Sequence, residues 1–294
     1  VKPSFLQTMD VVSTCLRRDL PVYRHACESL REHIAGARIH VITRAVDFPA
    51  FRNACGEEVR LVDEREILAD MSLDALRQMP LPFFPEGAGW YFQQFLKLGF
   101  HRLSESGGHF LIWDADTILL RPLEFVDDQG RSLFVMADEH HGPYFQTFEN
   151  LFGYPAARDY SFISQHQVVE KSVLREMFRE IEARDPEGKS WMWVVMERLK
   201  GAGSNLFSEY ETYGHYLKHR YPGRVVGRKL PWTRHGERIA GYPPKPARFP
   251  RLADEFAFAA FESEASPLRR LRRSAGGMLR STTRALKSMG RRSS

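Results

Sequence analysis

Residues 110–122 read F-L-I-W-D-A-D-T-I-L-L-R-P, two apolar runs with a pair of aspartates between them. Phe110 to Trp113 has the length and unbroken apolarity of a strand buried on both faces, the mark of a parallel sheet. Asp114 and Asp116 then stand between that strand and the apolar stretch Ile118 to Leu120. Carboxylates in such a place are costly unless a positive charge compensates them. In an extended segment, residues i and i+2 point to the same side, so both carboxylates are expected to face one cation. Oxygen donors of this kind suit Mn²⁺ or Mg²⁺. In open parallel sheets, ligands bind beyond the carboxyl ends of the strands, where this pair is expected. The plainer alternative is that Asp114 caps a turn and Asp116 is solvated.

Working outward, Asp10 to Cys15 predicts a strand, and Leu20 to Ile34 a helix with Val22, Ala26, Leu30 and Ile34 on one face. Arg38 to Thr43 predicts a second strand and Val59 to Val62 a third. Strand and helix alternating at this tempo predict an α/β fold, a mostly parallel sheet flanked by helices. Met79 to Gly89, rich in Pro and Gly, predicts a loop, followed by a helix from Trp90 to Leu103. Leu133 to Met136 predicts a strand and Ser172 to Ala183 a helix. Lys200 to Asn205 predicts a flexible loop before a helix starting near Ser208. The proline-rich stretch Arg220 to Arg251 predicts extended chain and turns.

Composition narrows the class. Of 294 residues, 43% are hydrophobic and 27% charged, the balance of a globular chain with a sizeable core. No apolar run approaches the roughly 20 residues of a membrane-spanning helix, and no secretory signal is read at the start. Cys15, Cys27 and Cys55 fit no zinc spacing; they read as small core residues in a reducing cytoplasm. The net charge of +5 is unevenly placed: Leu268 to the end holds nine Lys or Arg and no acid, leaving 33 basic against 37 acidic residues elsewhere. We therefore read residues 1–262 as the domain and 263–294 as a basic tail. Apolar residues near helical spacing in that tail, including Leu268, Leu271, Leu279 and Leu286, predict an amphipathic segment for an anionic membrane surface. The alternative is a solvated, unstructured tail. No aromatic residue is interleaved with the arginines, so nucleic acid is not expected as a partner.

Beyond these readings, W-D-A-D-T-I-L-L-R-P (residues 113–122) resembles the D-x-D segment of GT-A-type nucleotide-sugar glycosyltransferases. W-Y-F-Q-Q-F-L-K-L (90–98), S-F-I-S-Q-H (161–166) and F-S-E-Y-E-T-Y-G (207–214) resemble blocks of an uncharacterised bacterial glycosyltransferase-like group, in the same order. The resemblance implies a GT-A fold and sugar transfer from a nucleoside-diphosphate sugar to a hydroxyl on a glycan or lipid-linked acceptor. It further implies Mn²⁺ or Mg²⁺ at Asp114 and Asp116 with a late histidine, His235, as third ligand; His166, His140 and His141 are rivals. Gln93, Gln94 and Lys97 would border the donor, with Lys97 neutralising a phosphate or holding Asp114. Arg18 and Asp19 would meet base and ribose, unless Asp19 only caps the following helix. Glu209 or Glu211 would take the acceptor proton, although Ser208 and Glu211 also have the spacing of a capping box. Two other classes compete: a non-catalytic glycan- or nucleotide-binding domain, and a nucleotidyltransferase. The latter is disfavoured because no Gly-rich phosphate loop follows the first strand.

Overall fold

The apolar segments around Val11, Val41, Leu61 and Leu111 lie in one central sheet of the computed structural model, which describes residues 8–79, 87–201, 203 and 205–262. The strands are β1 (Asp10–Thr14), β2 (Arg38–Thr43), β3 (Arg60–Asp63), β4 (His109–Trp113), β5 (Thr117–Leu119), β6 (Ser132–Val135), β7 (His166–Glu170), β8 (Val225–Arg228), β9 (Trp232–Thr233) and β10 (Phe258–Ala260). The helices are α1 (Leu20–His33), α2 (Phe48–Cys55), α3 (Glu64–Ile67), α4 (Leu73–Gln78), α5 (Ala88–Gly99), α6 (Gly142–Phe152), α7 (Lys171–Glu182), α8 (Trp191–Glu197), α9 (Glu209–Arg220), α10 (Glu237–Ala240) and α11 (Phe249–Glu255).

The central sheet runs β3-β2-β1-β4-β7. Its first four strands are parallel, and β7 joins β4 antiparallel with Trp113 opposite His166. Successive strands step outward from β1 through β2 to β3, then β4 returns to the other side of β1. In open α/β sheets the carboxyl ends of the strands at such a reversal, here β1 and β4, are where ligands are received. The fold is therefore mixed α/β, mainly parallel and flanked by helices. A three-stranded sheet, β5-β10-β9, continues beyond β4. A second apolar cluster, with Ile118, Leu120, Ala259, Phe261, Ala240 and Leu252, packs α10 and α11 on it.

The core follows the period of each element. Val11, Val12, Leu111, Ile112 and Trp113 are buried, as a strand covered on both faces requires. Each such side chain contributes roughly 1.5–3 kcal/mol on leaving water. The far pole of β1 is held by charge. Asp10, fully buried, accepts bonds from Arg38 Nε (2.6 Å), His40 Nε2 (3.1 Å), Ser104 Oγ (2.8 Å) and the Ser106 amide (2.8 Å). Burial pushes the Asp10 carboxyl up, but these bonds outweigh it and hold the group well below the usual carboxylate range.

Two sequence expectations change. The helix expected from Trp90 starts earlier, at Ala88, and ends at Gly99 before a 3₁₀ turn, Phe100–Arg102. A Cβ at Gly99 would lie 2.7 Å from Ile67 Cγ2, so this end of α5 sits directly on α3. The stretch expected to be extended, Arg220 to Arg251, carries α10 and the first turn of α11 besides its strands. Proline is accommodated there because Pro250 occupies the first turn of α11, where its missing N–H is not needed. Most of the Met79–Gly89 loop, part of the Lys200–Asn205 loop and the whole 263–294 tail lie outside the described residues. The three cysteines are buried and free. Among the described residues no helix is long and apolar enough to cross a membrane.

Candidate functional site at the carboxyl end of the fourth strand

The aspartates lie on a turn rather than an extended segment. Thr117 N–H donates to the Asp114 carbonyl (3.0 Å), and the Asp114 N–H to the Gln165 carbonyl (2.9 Å). The Trp113 indole N–H donates to the Thr117 carbonyl (2.7 Å) and clamps the turn from inside the core. Trp113 itself stacks on His166, ring centroids 5.0 Å apart. The expectation that alternation would align the two carboxylates is thus replaced by a turn that an indole closes.

Two helices aim polar side chains at this turn. Lys97, in the last turn of α5, donates to Asp114 Oδ1 at 2.6 Å and to Glu209 Oε1 at 2.7 Å. Tyr210, in the first turn of α9, donates to the same Asp114 Oδ1 at 2.8 Å. Gln94, one turn before Lys97, accepts the Glu209 backbone N–H at 2.9 Å, so α5 satisfies an open donor of the α9 terminus. The α9 helix reaches this position because of Gly214, where a Cβ would stand 2.3 Å from Phe162 Cγ; any larger residue would lift the helix off the segment before β7.

The cluster is buried and charged. Lys97, Glu209 and Tyr210 are 6%, 3% and 3% exposed. Burial opposes the Lys97 charge, but Asp114 and Glu209 beside it outweigh that and hold the ammonium above its ordinary range. Burial raises the Glu209 carboxyl, and Lys97 opposes this only in part. The Tyr210 hydroxyl is pushed well up by burial, then by Asp114, Glu209 and Asp116. Asp116 is thereby close to the same centre.

Asp116 and His235 flank the three-stranded sheet, one just before β5 and the other just after β9. The Phe261 N–H donates to the Asp116 carbonyl (2.8 Å), and Phe261 bridges in turn to His235. His235 Nδ1 is 3.4 Å from Glu237 Oε1. Next to it, Arg234 pairs with Glu139 and, at 3.3 Å, with Glu262, tying this sheet to the segment after β6. Among the described residues, no three His, Cys, Asp or Glu side chains form a group that could by themselves hold a metal ion.

The other candidates separate. Glu211 is consumed by structure: its Oε1 accepts from Ser161 Oγ (2.5 Å) and its Oε2 from the Phe162 N–H (3.2 Å). Of the capping box, only the half from the Glu211 N–H to Ser208 Oγ (3.3 Å) forms, because the carboxylate has turned to residues 161–162. His215 Nε2 lies 3.0 Å from that carboxylate but off the hydrogen-bond direction. Arg18 and Asp19 follow β1 in an exposed 3₁₀ turn, 3.5 Å apart, and the Asp19 side chain makes no cap bond. Burial, then Asp19 and Asp116, push up the Cys15 thiol, so both aspartates are near the end of β1. Gln93 is half-buried on α5. His166 is enclosed by Trp113, Phe125 and Phe258, and burial, with Arg228 nearby, lowers its imidazole to about 3. The His141 ring donates to the Asn205 carbonyl (2.9 Å), and His140 packs beside Phe145.

Tyr210 and Gln165 were not singled out by sequence reasoning. Tyr210 sits between two glutamates that drew attention first. Gln165 is the one described non-glycine residue with positive φ, 67°, and its carbonyl anchors Asp114. Such backbone strain persists only where the surroundings impose it.

No curated protein matches the chain by sequence. Among solved structures, apo xyloside xylosyltransferase 1 from mouse is 11% identical with a TM-score of 0.48, over 87% of this chain and 98% of that one. The galactosyltransferase LgtC, in complex with donor and acceptor sugar analogues, is 13% identical with a TM-score of 0.47, over 88% and 89% of the two chains. Residues 12–225 match a model described as a family of unknown function, DUF6492, and the chain belongs to that family.

Proposed function

We propose that the chain is a metal-dependent glycosyltransferase of GT-A type, moving a sugar from a nucleoside-diphosphate sugar to a hydroxyl acceptor. The observation that carries this reading is the buried Lys97 ammonium shared between Asp114 and Glu209 at the carboxyl end of β4. It couples a carboxylate suited to a cation with one suited to a proton, at the strand ends where a parallel sheet receives ligands.

The donor set fits Mn²⁺ or Mg²⁺ in part. Asp114 through Oδ2, and Asp116, offer hard oxygens, and His235 is the candidate third ligand. Remaining positions would fall to water and diphosphate oxygens, as is usual for Mg²⁺. The ion, when bound, supplies positive charge to the departing diphosphate. Lys97 adds a fixed positive charge beside it. Glu209, its carboxyl raised by burial, takes the proton of the acceptor hydroxyl. Glu211 holds the start of α9 in place through Ser161 and Phe162. Arg18 and Asp19, beyond β1, meet the base and ribose, and Gln93 and Gln94 border the donor.

The acceptor in this reading is a glycan or a lipid-linked sugar, with residues 263–294 resting on the anionic inner face of a membrane. Sedimentation with anionic vesicles, against a chain ending at Glu264, tests that part; equal sedimentation would refute it. The ion pair that occupies Glu209 favours one second reading, a domain that binds nucleotide or glycan without turnover. The test is nucleoside diphosphate release from a panel of nucleotide sugars, with and without Mn²⁺. Release that needs Mn²⁺ and is lost in Asp116→Ala supports the enzyme. Donor binding without any release, with acceptors supplied, supports the second reading.

A further inference from the structure

Arg228 ends β8, and its guanidinium Nε and Nη2 are sealed from solvent with no hydrogen-bond partner among the described residues. Burial pulls this guanidinium below its ordinary value, and the exposed Glu124 opposes that shift. An arginine keeps its charge in a protein, so a buried edge that makes no bond is costly and calls for a physical reason. His166 is in the same position. It is 3% exposed, and neither ring nitrogen makes a well-formed hydrogen bond. The two groups are close enough for the Arg228 charge to bear on the imidazole. Trp113, Phe125 and Phe258 wall the ring. Trp232, half-buried, stacks on Phe258 with ring centroids 5.5 Å apart.

Backbone bonds tie this polar pair to the proposed site. The Arg228 carbonyl accepts the Met136 N–H at 2.9 Å, and Ala137 and Ser161 exchange bonds of 2.9 and 2.8 Å. The segment from Ser161 leads to Gln165, whose carbonyl holds the Asp114 N–H. The mechanism above uses neither Arg228 nor His166.

The donors have a defined chemistry. Nε and Nη2 form the edge of a guanidinium that meets both oxygens of a carboxylate in parallel bonds. The imidazole, lowered to about 3, is neutral near pH 7 and offers one N–H without adding charge. One positive charge beside one neutral donor suits a monoanion, and neighbouring aromatic rings suit the body of a sugar. In the reading above the diphosphate falls to Lys97 and the aspartates, so this anion is a separate group.

We propose that Arg228 and His166 form a carboxylate subsite, and that one of the two sugars, donor or acceptor, is a uronic-type sugar acid. Arg228 is the specificity-determining residue, because a neutral sugar in the same place leaves its buried edge unpaired. This rests on the sugar-transfer reading above.

The test is ligand-observed NMR titration of the full chain with matched acid and neutral probes. One arm compares the methyl glycosides of glucuronate and galacturonate with those of glucose and galactose. The other compares the uridine-diphosphate derivatives of the same four sugars. Wild type is expected to favour an acid over its neutral partner by about tenfold or more in at least one arm. A preference among the glycosides alone assigns the acid to the acceptor; one carried by the nucleotide sugars assigns it to the donor. Arg228→Gln should abolish the preference by weakening the acid and not the neutral sugar. Arg228→Lys, which keeps the charge and loses the fork, should lose most of it. Melting profiles confirm that the variants fold. Equal binding of acid and neutral probes in both arms, or a full preference in either folded variant, overturns the proposal. Nucleoside diphosphate release from nucleotide sugars is followed separately: its absence would refute sugar transfer, whereas the acid preference reads the subsite directly.

Discussion

Lys97 bonds Asp114 at 2.6 Å across 17 residues of chain, with both groups largely withdrawn from water. The same ammonium reaches Glu209, 112 residues away. One ammonium therefore bridges two carboxylates that come from the end of a strand and the start of a helix. Removing one partner of a buried pair leaves the others uncompensated. Lys97→Met should lower stability by about 3 kcal/mol, and adding Glu209→Gln should recover part of that loss. Urea unfolding of the two variants measures it. A double variant no more stable than Lys97→Met would show that the carboxylates do not depend on the ammonium.

The two glutamates of α9 should behave differently. Glu209→Gln is predicted to keep donor binding and lose transfer. Glu211→Gln should instead lose stability, by about 1–3 kcal/mol, because its carboxylate carries the bonds from Ser161 and Phe162. Transfer per folded molecule should change much less in the Glu211 variant. Measuring thermal midpoint and turnover on both variants separates the roles; full turnover in Glu209→Gln removes that residue from the mechanism.

Asp10 lies away from the proposed chemistry and predicts an acid limit. Its folded value is depressed, so its stabilisation is complete above the unfolded carboxylate value of roughly 4 and is lost as pH falls below it. Asp10→Asn should cost about 3 kcal/mol at neutral pH, since the Arg38 guanidinium loses its counter-ion and one of the two accepting oxygens becomes an NH₂ donor. The gap between variant and wild type should narrow as the pH drops below that value. A gap constant from pH 7 to pH 3 would argue against the assignment.

Much of the frame was readable from local pattern. The strands around Val11, Val41 and Leu111 announce themselves by apolar runs, and their parallel direction follows from strand–helix alternation. The strand His166–Glu170 escaped because H-Q-V-V-E mixes polar residues into a short run; it pairs antiparallel to β4, which no local rule shows. The helix Gly142–Phe152 opens on Gly-Pro and was hidden behind the paired histidines. At the site, Asp114 and Asp116 stood out by their apolar flanks. The turn that carries them did not, since it depends on the Trp113 indole reaching Thr117. Tyr210 was illegible for a similar reason: its hydroxyl meets Asp114 across 96 residues, and only packing of α9 on Phe162, permitted by Gly214, brings them together.

The central claim is that the Asp114–Asp116 turn holds a cation that activates a nucleotide-sugar donor. The most direct measurement is nucleoside diphosphate release from a panel of nucleotide sugars, compared with and without Mn²⁺ in wild type and Asp116→Ala. Asp116 is on a turn and fills no core space, so the variant should fold with an unchanged melting profile. The account predicts Mn²⁺-dependent release from at least one donor in wild type and a loss of about a hundredfold or more in the variant. Full Mn²⁺-dependent release by Asp116→Ala, or release by wild type that is indifferent to Mn²⁺, would contradict it.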